Sequence, residues 1–191
     1  QSFSYADADG NIGFQVAAHY PIRQGRDGRT PVPGWVDRFE WPGIVPFDHL
    51  PRTYNPAKGY IVSANNQVAG PDYPYRIDPE ADYGYRARRI VGLVEGKRNG
   101  ISVDDIKAMH ADVLDTWALE MLPYLGPVSL EPDAKEIALR DEERKELSES
   151  KLRKAAEADA KELAAMHKAR ERLLGWDGRM SEESGDAALF A

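Results

Sequence analysis

Apolar and polar positions alternate at the start of the chain, Phe3 and Tyr5 about Ser4, which is the period of a half-buried strand. Asp7-Ala-Asp-Gly-Asn11 follows as a tight turn, because Asp-Gly and Gly-Asn supply the positive φ that short hairpins need. Ile12-Gly-Phe-Gln-Val16 then returns as a second strand. Beyond it the period is lost. Prolines at 21, 31, 33, 42, 46, 51 and 56 stand too close together for helices or long central strands. This stretch is expected to be an ordered, wrapped loop pinned by Trp35, Phe39, Trp41 and Phe47 rather than a Pro-rich linker. A short β-branched strand, Tyr60 to Val62, is expected to deliver Asn65 and Asn66 onto the loop that leaves it.

The period becomes helical at Tyr85, with Ala87, Ile90, Val91 and Val94 on one face and an end near Gly96. Ser102-Val-Asp-Asp105 is a capping-box variant that opens another helix. Its stripe of Val103, Ile106, Met109, Val113, Trp117 and Met121 reads as core, and Pro123 closes it. From Glu131 to Leu174 the stripe thins to Leu152, Ala156, Leu163, Met166 and Leu173 among acidic and basic residues in nearly equal number. That pattern describes a long exposed helix or helix pair laced with opposite charges, an added arm or, in the sharper alternative, a coiled-coil surface. The chain thus divides into a strand-and-loop segment (1–82), a helical segment (83–130), a charged helical arm or insertion (131–174) and a tail (175–191).

Composition narrows the chemistry. A net charge of −7 argues against a protein that tracks nucleic-acid phosphates. With no cysteine, disulfides, thiolate catalysis and zinc–thiolate sites are excluded within the chain. No apolar run approaches the roughly 20 residues of a transmembrane helix, so no membrane span is expected. Gln1 to Gly10 has neither the basic end nor the apolar stretch of a secretory signal. His19, His49, His110 and His167 show no metal-ligand spacing, and His110, beside an apolar stripe, reads as a packed histidine. Asp7, Asp9 and Asn11 superficially match the start of an EF-hand loop but lack its later glycine and closing glutamate, so they belong to the hairpin turn. Gly-rich phosphate loops and Ser-His-Asp motifs are absent. What remains is the pair Asn65 and Asn66. A carboxamide is neutral at every working pH and can donate a hydrogen bond to an oxyanion, while Asn-Asn in a loop is also ordinary turn chemistry.

Six stretches stand in order along the chain: Tyr5-Ala-Asp-Ala-Asp-Gly-Asn-Ile-Gly-Phe14, Arg29-Thr-Pro-Val-Pro-Gly-Trp35, Glu40-Trp-Pro-Gly43, Leu50-Pro-Arg-Thr-Tyr-Asn-Pro56, Gly59-Tyr-Ile-Val-Ser-Ala-Asn-Asn66 and Tyr85-Arg-Ala-Arg-Arg-Ile90. Together they resemble the β-chain of the penicillin acylase (penicillin amidase) family, whose members are N-terminal-nucleophile hydrolases. Gly175-Trp-Asp-Gly178 with Ala187-Ala-Leu-Phe190 resembles a later element of that family and makes 175–191 a family-like tail. The resemblance implies an α+β fold, part of an α/β/β/α sandwich with Pro-rich wrapped loops and a helical second half. It implies an amide hydrolase acting through an acyl-enzyme on a penicillin-type amide or an N-acyl homoserine lactone. Asn65 matches the oxyanion-hole asparagine, with Asn66 as the neighbouring register. Arg89 matches an arginine that buttresses the catalytic asparagine or amine, a task suited to a planar guanidinium. Arg86 and Arg88 would then be exposed helix charges.

The same resemblance implies Ca²⁺, with Asp78 as a carboxylate ligand and the Gly28 carbonyl as another, the remaining ligands lying upstream. The family nucleophile is the first residue of a processed chain, with its own α-amine as base. It must be Ser, Thr or Cys. Here Gln1 stands first and Ser2 lacks the nucleophile's context, so the nucleophile is expected elsewhere, either in a larger polypeptide or in a separate chain. Expected partners are the α-chain and the nucleophile-bearing part of the β-chain, together with a small acyl amide substrate and no nucleic acid. Family members mature by self-cleavage and are periplasmic or secreted. The rival expectation is a non-catalytic binding module, with the aromatic Pro-rich loop as its ligand surface and the charged arm as a docking helix.

Overall fold

A computed structural model describes residues 2–26, 28–77, 81–97 and 100–191. Among the described residues helix accounts for 43% and strand for 11%, with the paired strands ending at Tyr54 and the α-helices running from Tyr85 onward, so the chain is of mixed class. It forms two compact units, Gln1–Val103 and Asp104–Ala191.

The first unit is built on the expected hairpin. Strand β1 (Ser2–Ala6) pairs antiparallel with β2 (Ile12–Val16), Ser2 opposite Val16 and Ala6 opposite Ile12. Two short ladder strands follow, β3 (Pro21–Ile22) and β4 (Gly43–Ile44), paired with each other. Strand β5 (Arg52–Tyr54) adds to the free edge of β2, giving the order β1-β2-β5. Asn55 closes that sheet. It adopts a left-handed φ of 43°, accepts the Ile12 N–H on Oδ1 (2.9 Å) and donates from Nδ2 to Asn11 Oδ1 (2.7 Å). Phe14, Val16, Val45 and Leu50 are buried as one cluster, with Tyr20, Ile22, Ile61, Val68 and Tyr75 packed on it.

Asp7 organises the hairpin turn. Its Oδ1 accepts the N–H groups of Asp9 (3.0 Å) and Asn11 (2.8 Å), and its Oδ2 accepts Tyr5 OH (2.7 Å) and Asn11 Nδ2 (2.8 Å). These donors, Tyr5 first and then Asn11, favour the ionised carboxylate and lower its pKa from 3.8 to about 2. A folded pKa below the unfolded one contributes stability that is present above the ordinary carboxylate value and lost as pH falls through about 2. Protection of the Asp9 and Asn11 amides from exchange, relative to the unstructured chain at the same pH, is therefore expected to hold through the ordinary carboxylate range and to be lost only near pH 2. Loss of that protection already at the ordinary value would show that the turn does not depend on Asp7 in this way.

Three expectations are corrected here. Tyr60 to Val62 does not form a ladder strand among the described residues; near it, Asn66 forms a single bridge, to Asp82. β-branched residues suit a pleated surface, but propensity supplies no partner ladder. Second, three of the four aromatics do not pin the Pro-rich loop: Trp35 is 86% exposed, and Trp41 and Phe47 are also exposed, while Phe39 is half-buried. The β3–β4 ladder and the Tyr20 carbonyl, which accepts the Val45 N–H (2.8 Å), hold the loop, while guanidiniums cover aromatic faces, Arg23 over Trp41 and Arg38 over Phe39. Third, the helix expected from Ser102 to Pro123 is broken in two, and most of its stripe is not core.

The helices account for the rest. Helix α1 (Tyr85–Gly96) stands where the periodicity placed it. Helix α2 (Val103–His110) ends on an exposed His110, not a packed one, and Val103, Ile106, Trp117 and Met121 are all exposed. Asp115 restarts the chain as helix α3 (Thr116–Met121), its carboxylate accepting the Trp117 and Ala118 N–H groups at 2.9 and 3.0 Å. Within the second unit the core is Ala118, Leu122, Trp176 and Ala187, flanked by Leu125, Leu173 and Phe190. The tail joins it through Trp176, whose ring lies 5.2 Å from that of Phe190 on α6 (Gly185–Phe190). Gly178 is required there: its φ is +75°, and a Cβ would lie 2.7 Å from the Leu119 side chain.

Residues 131–174 form a helix pair, α4 (Ala134–Arg144) and α5 (Glu149–Leu174), with no fully buried side chain. Asp159 of α5 ties them together, pairing with Arg144 (2.7 Å) and Arg140 (3.3 Å) of α4. No helix among the described residues is long and apolar enough to cross a membrane.

Candidate functional site

The loop carrying the two asparagines is seated on the first unit's core from both sides, by Ile61 before it and Val68 after it. Between them the backbone turns sharply, with Asn65 at a left-handed φ of 59°. Asparagine tolerates this conformation better than most residues because its short polar side chain bonds locally. The Asn65 carbonyl accepts the Asp82 N–H (2.8 Å), which ties the loop to the segment leading into α1.

The two carboxamides have different fates. Asn66 turns inward on its own loop: its Oδ1 accepts the Ala64 N–H (3.0 Å) and its Nδ2 donates to the Gln67 carbonyl (3.1 Å). Both ends of that amide are taken up, which is turn chemistry. Asn65 is exposed, and its Oδ1 accepts a hydrogen bond from Arg86 Nη2 (3.0 Å). Its Nδ2 donates to no acceptor among the described residues. Asn65 is thus the carboxamide of the pair that keeps a donor available to a ligand.

Arg86 was expected to be only an exposed helix charge. Its guanidinium instead joins Asn65 to Asp82, whose Oδ2 lies 3.2 Å from Nη2. Asp82 Oδ1 accepts the Gly84 N–H (3.0 Å) where α1 begins. That bond, then the Arg86 guanidinium, holds the Asp82 carboxyl below the usual carboxylate range. The clue in the sequence was the i,i+4 spacing of Asp82 and Arg86 across the start of a helix. Arg89, the expected buttress, is half-buried one turn further along α1, on the same face as Arg86.

The two expected calcium ligands stand differently. Asp78 lies outside the described residues. Gly28 is described, at φ +90°, with the Arg23 side chain so close that a Cβ would lie 2.7 Å from its Nε. Arg29, next to Gly28, and Arg76, shortly before Asp78, line one open cleft of about 820 Å³. Among the described residues no group of three or more histidines or carboxylates is placed to hold a metal ion, and the Arg23 guanidinium lies close against Gly28. The described residues therefore do not by themselves make a Ca²⁺ site, which takes roughly six to eight oxygens.

Comparison with known proteins gives this geometry a context. The profile of the penicillin amidase family matches residues 1–191. Penicillin acylase 2 proenzyme of Pseudomonas sp. (strain SE83) is 32% identical over 184 residues, 96% of this chain and 20% of that protein. The acyl-homoserine lactone acylase QuiP of Pseudomonas fluorescens is 33% identical over 190 residues, 97% of this chain and 20% of that protein. A solved structure of thermostable penicillin G acylase from Alcaligenes faecalis matches with a TM-score of 0.58 at 29% identity, over 96% of this chain and 28% of that one. The chain spans about a fifth of the length of these curated relatives.

Proposed function

Since the chain belongs to the penicillin amidase family, we propose that it is one portion of a larger acylase that cleaves an N-acyl amide through an acyl-enzyme, with Asn65 as an oxyanion donor. The observation that carries this is the contrast between the asparagines: Asn66 is bonded at both ends, whereas Asn65 is held by its oxygen with its NH₂ group available. Family membership displaces the binding-module alternative.

In the proposed reaction, a serine hydroxyl at the start of a processed chain, outside these residues, attacks the amide carbonyl carbon. The serine's own α-amine takes the hydroxyl proton. The carbonyl π electrons move onto oxygen, and the resulting oxyanion accepts a hydrogen bond from Asn65 Nδ2. Collapse re-forms the carbonyl, breaks the C–N bond and passes the proton to the departing amine. Water then repeats the sequence on the ester and releases the acid. Asn65 stays neutral throughout and needs only to be in place, which is where such donors gain their catalytic effect. Penicillin-type amides and N-acyl homoserine lactones share this bond, and both names occur among the relatives.

The rest of the proposal concerns the complete protein. The β1-β2-β5 sheet belongs to an α/β/β/α sandwich completed by the α-chain and the nucleophile-bearing part of the β-chain. Arg89 supports the catalytic amine or asparagine from α1. Calcium is bound with the Gly28 carbonyl and Asp78 as two of its ligands and others from outside this chain. Maturation is by self-cleavage, in the periplasm or outside the cell.

The test is complementation. The purified chain of 191 residues is expected to release no product from a chromogenic phenylacetyl or long-chain acyl anilide, whereas the complete acylase turns one of them over. Turnover by the isolated chain would place the nucleophile within it and overturn the proposal.

A further inference from the structure

A pair of amphipathic helices buries its apolar stripes fully only when a further layer covers them. In the pair α4–α5 that layer is missing along one groove of about 330 Å³, whose apolar lining is Leu130, Pro132, Ile137, Leu163 and Met166. Ile137 and Met166 are exposed. The arginines of the groove are already matched: Arg140 pairs with Glu136 (2.6 Å) and Asp159 (3.3 Å), and Arg144 with Asp159 (2.7 Å). Asp141 and Glu162 also line it and make no ion pair among the described residues. An apolar floor under an acidic rim is complementary to an apolar side chain standing between cations.

The first turns of α5 present that complement. Leu152 is exposed, with Ala155 and Ala156 one turn on and Lys151 and Arg153 at its sides. Lys151 makes no ion pair among the described residues, and Arg153 is bonded to Glu157 of its own helix (3.0 Å). The alanines leave room for a second helix to approach. Leu152 cannot fill the groove of its own chain, because it precedes Leu163 by about 16 Å along a continuous helix that rises 1.5 Å per residue. A second copy can fill it. With the two α5 helices antiparallel about a twofold axis, each Leu152 meets the other copy's groove, Lys151 and Arg153 meet Asp141 and Glu162, and every contact is made twice.

We propose that the α4–α5 pair is a self-association surface, through which two copies of the complete acylase join by seating Leu152 of one in the Ile137–Leu163–Met166 groove of the other. The occupant is a second copy because both halves of the contact, apolar at the centre and opposite in rim charge, stand on the same helix pair. The surface involves neither Asn65 nor the residues around it, so it stands apart from the catalytic reading.

The experiment is sedimentation equilibrium of the complete acylase over a range of concentrations. The mass is expected to rise to that of two complete acylases as concentration increases. Leu152→Glu and Met166→Glu should each raise the dissociation constant by about 100-fold or more, because each places a charge in the centre of the contact at two symmetric positions. Lys151→Glu and Glu162→Lys should each weaken pairing by about tenfold, and the two together should return it to within about threefold of the starting value. Those two residues lie about 16 Å apart along one α5, so recovery reports a contact between copies. Leu152 and Met166 are exposed, and the variants are expected to fold and to keep their kcat; Leu152→Ser and Met166→Gln give the same test where a glutamate disturbs the helix. A single mass at every concentration would mean that another segment of the same acylase, or none, covers the groove. A double mass unmoved by the Leu152 and Met166 changes would place the dimer contact on a different face. Charge changes that add without recovery would separate Leu152 from the groove. Each of these three results overturns the proposal.

Discussion

Replacing Asn65 with alanine in the complete acylase is expected to lower kcat by about 100- to 1,000-fold while moving KM far less. The carbonyl oxygen of a bound amide is neutral and a modest acceptor. It gains nearly a full charge only in the tetrahedral state, so the Nδ2 hydrogen bond strengthens along the reaction, and its loss falls on kcat. The Asn66→Ala change removes the bonds to Ala64 N–H and the Gln67 carbonyl, and is expected to lower stability modestly with a much smaller effect on kcat. Steady-state kinetics on both variants decide the matter. If Asn66→Ala gives the larger fall in kcat, the oxyanion donor is the neighbouring residue and the roles read from the two amides are exchanged.

How far this was legible in the sequence depended on the kind of signal. The hairpin was legible because Asp7-Ala-Asp-Gly-Asn11 leaves a short chain little else to do, and Asp7 then takes four donors from that same turn. Helix α1 was legible because its apolar face repeats over several turns. The long helix expected from Ser102 was not one helix, since a periodic stripe is blind to a local competitor: Asp115, which lies between stripe positions, caps a new helix. Leu114 also leaves helical geometry to bridge Arg179, a contact across the second unit that no local pattern announces. The aromatic loop misled in the opposite sense. Large apolar residues were taken as buried, yet Trp35 and Trp41 are exposed, and the loop is closed by two-residue ladder pairing too short to show a period.

The site was half legible. The adjacency of Asn65 and Asn66 was visible, but which of them keeps a donor depends on their differing turn geometry and hydrogen bonds. Arg86 escaped for a related reason. One of three arginines in Arg86-Ala-Arg-Arg89, it is set apart only by Asp82 four residues earlier and by a loop returning beside it from residue 65.

The second large effect lies beneath the loop. Leu50 is 2% exposed, the most deeply buried large side chain described, at the centre of the cluster with Phe14, Val16 and Val45. Truncation to alanine removes buried apolar surface and leaves a cavity, and such changes typically cost about 2–5 kcal/mol. Denaturant unfolding of the Leu50→Ala protein is expected to show an unfolding free energy lowered by that amount, seen as a lower midpoint at unchanged slope, and Leu50→Met, which keeps the volume, should lose less than about 1.5 kcal/mol. The effect should also reach function. Ile61 and Val68 pack on this cluster and bracket Asn65, so a relaxed cluster lets the donor wander, and a misplacement of about 1 Å can cost on the order of 100-fold in rate. The Leu50→Ala enzyme, assayed well below its unfolding temperature, should therefore show a reduced kcat that Leu50→Met largely restores. A full loss of stability with an unchanged kcat would mean that Asn65 is held by its ties to Asp82 and Arg86 alone, and that the core beneath it sets the fold without setting the geometry of the site.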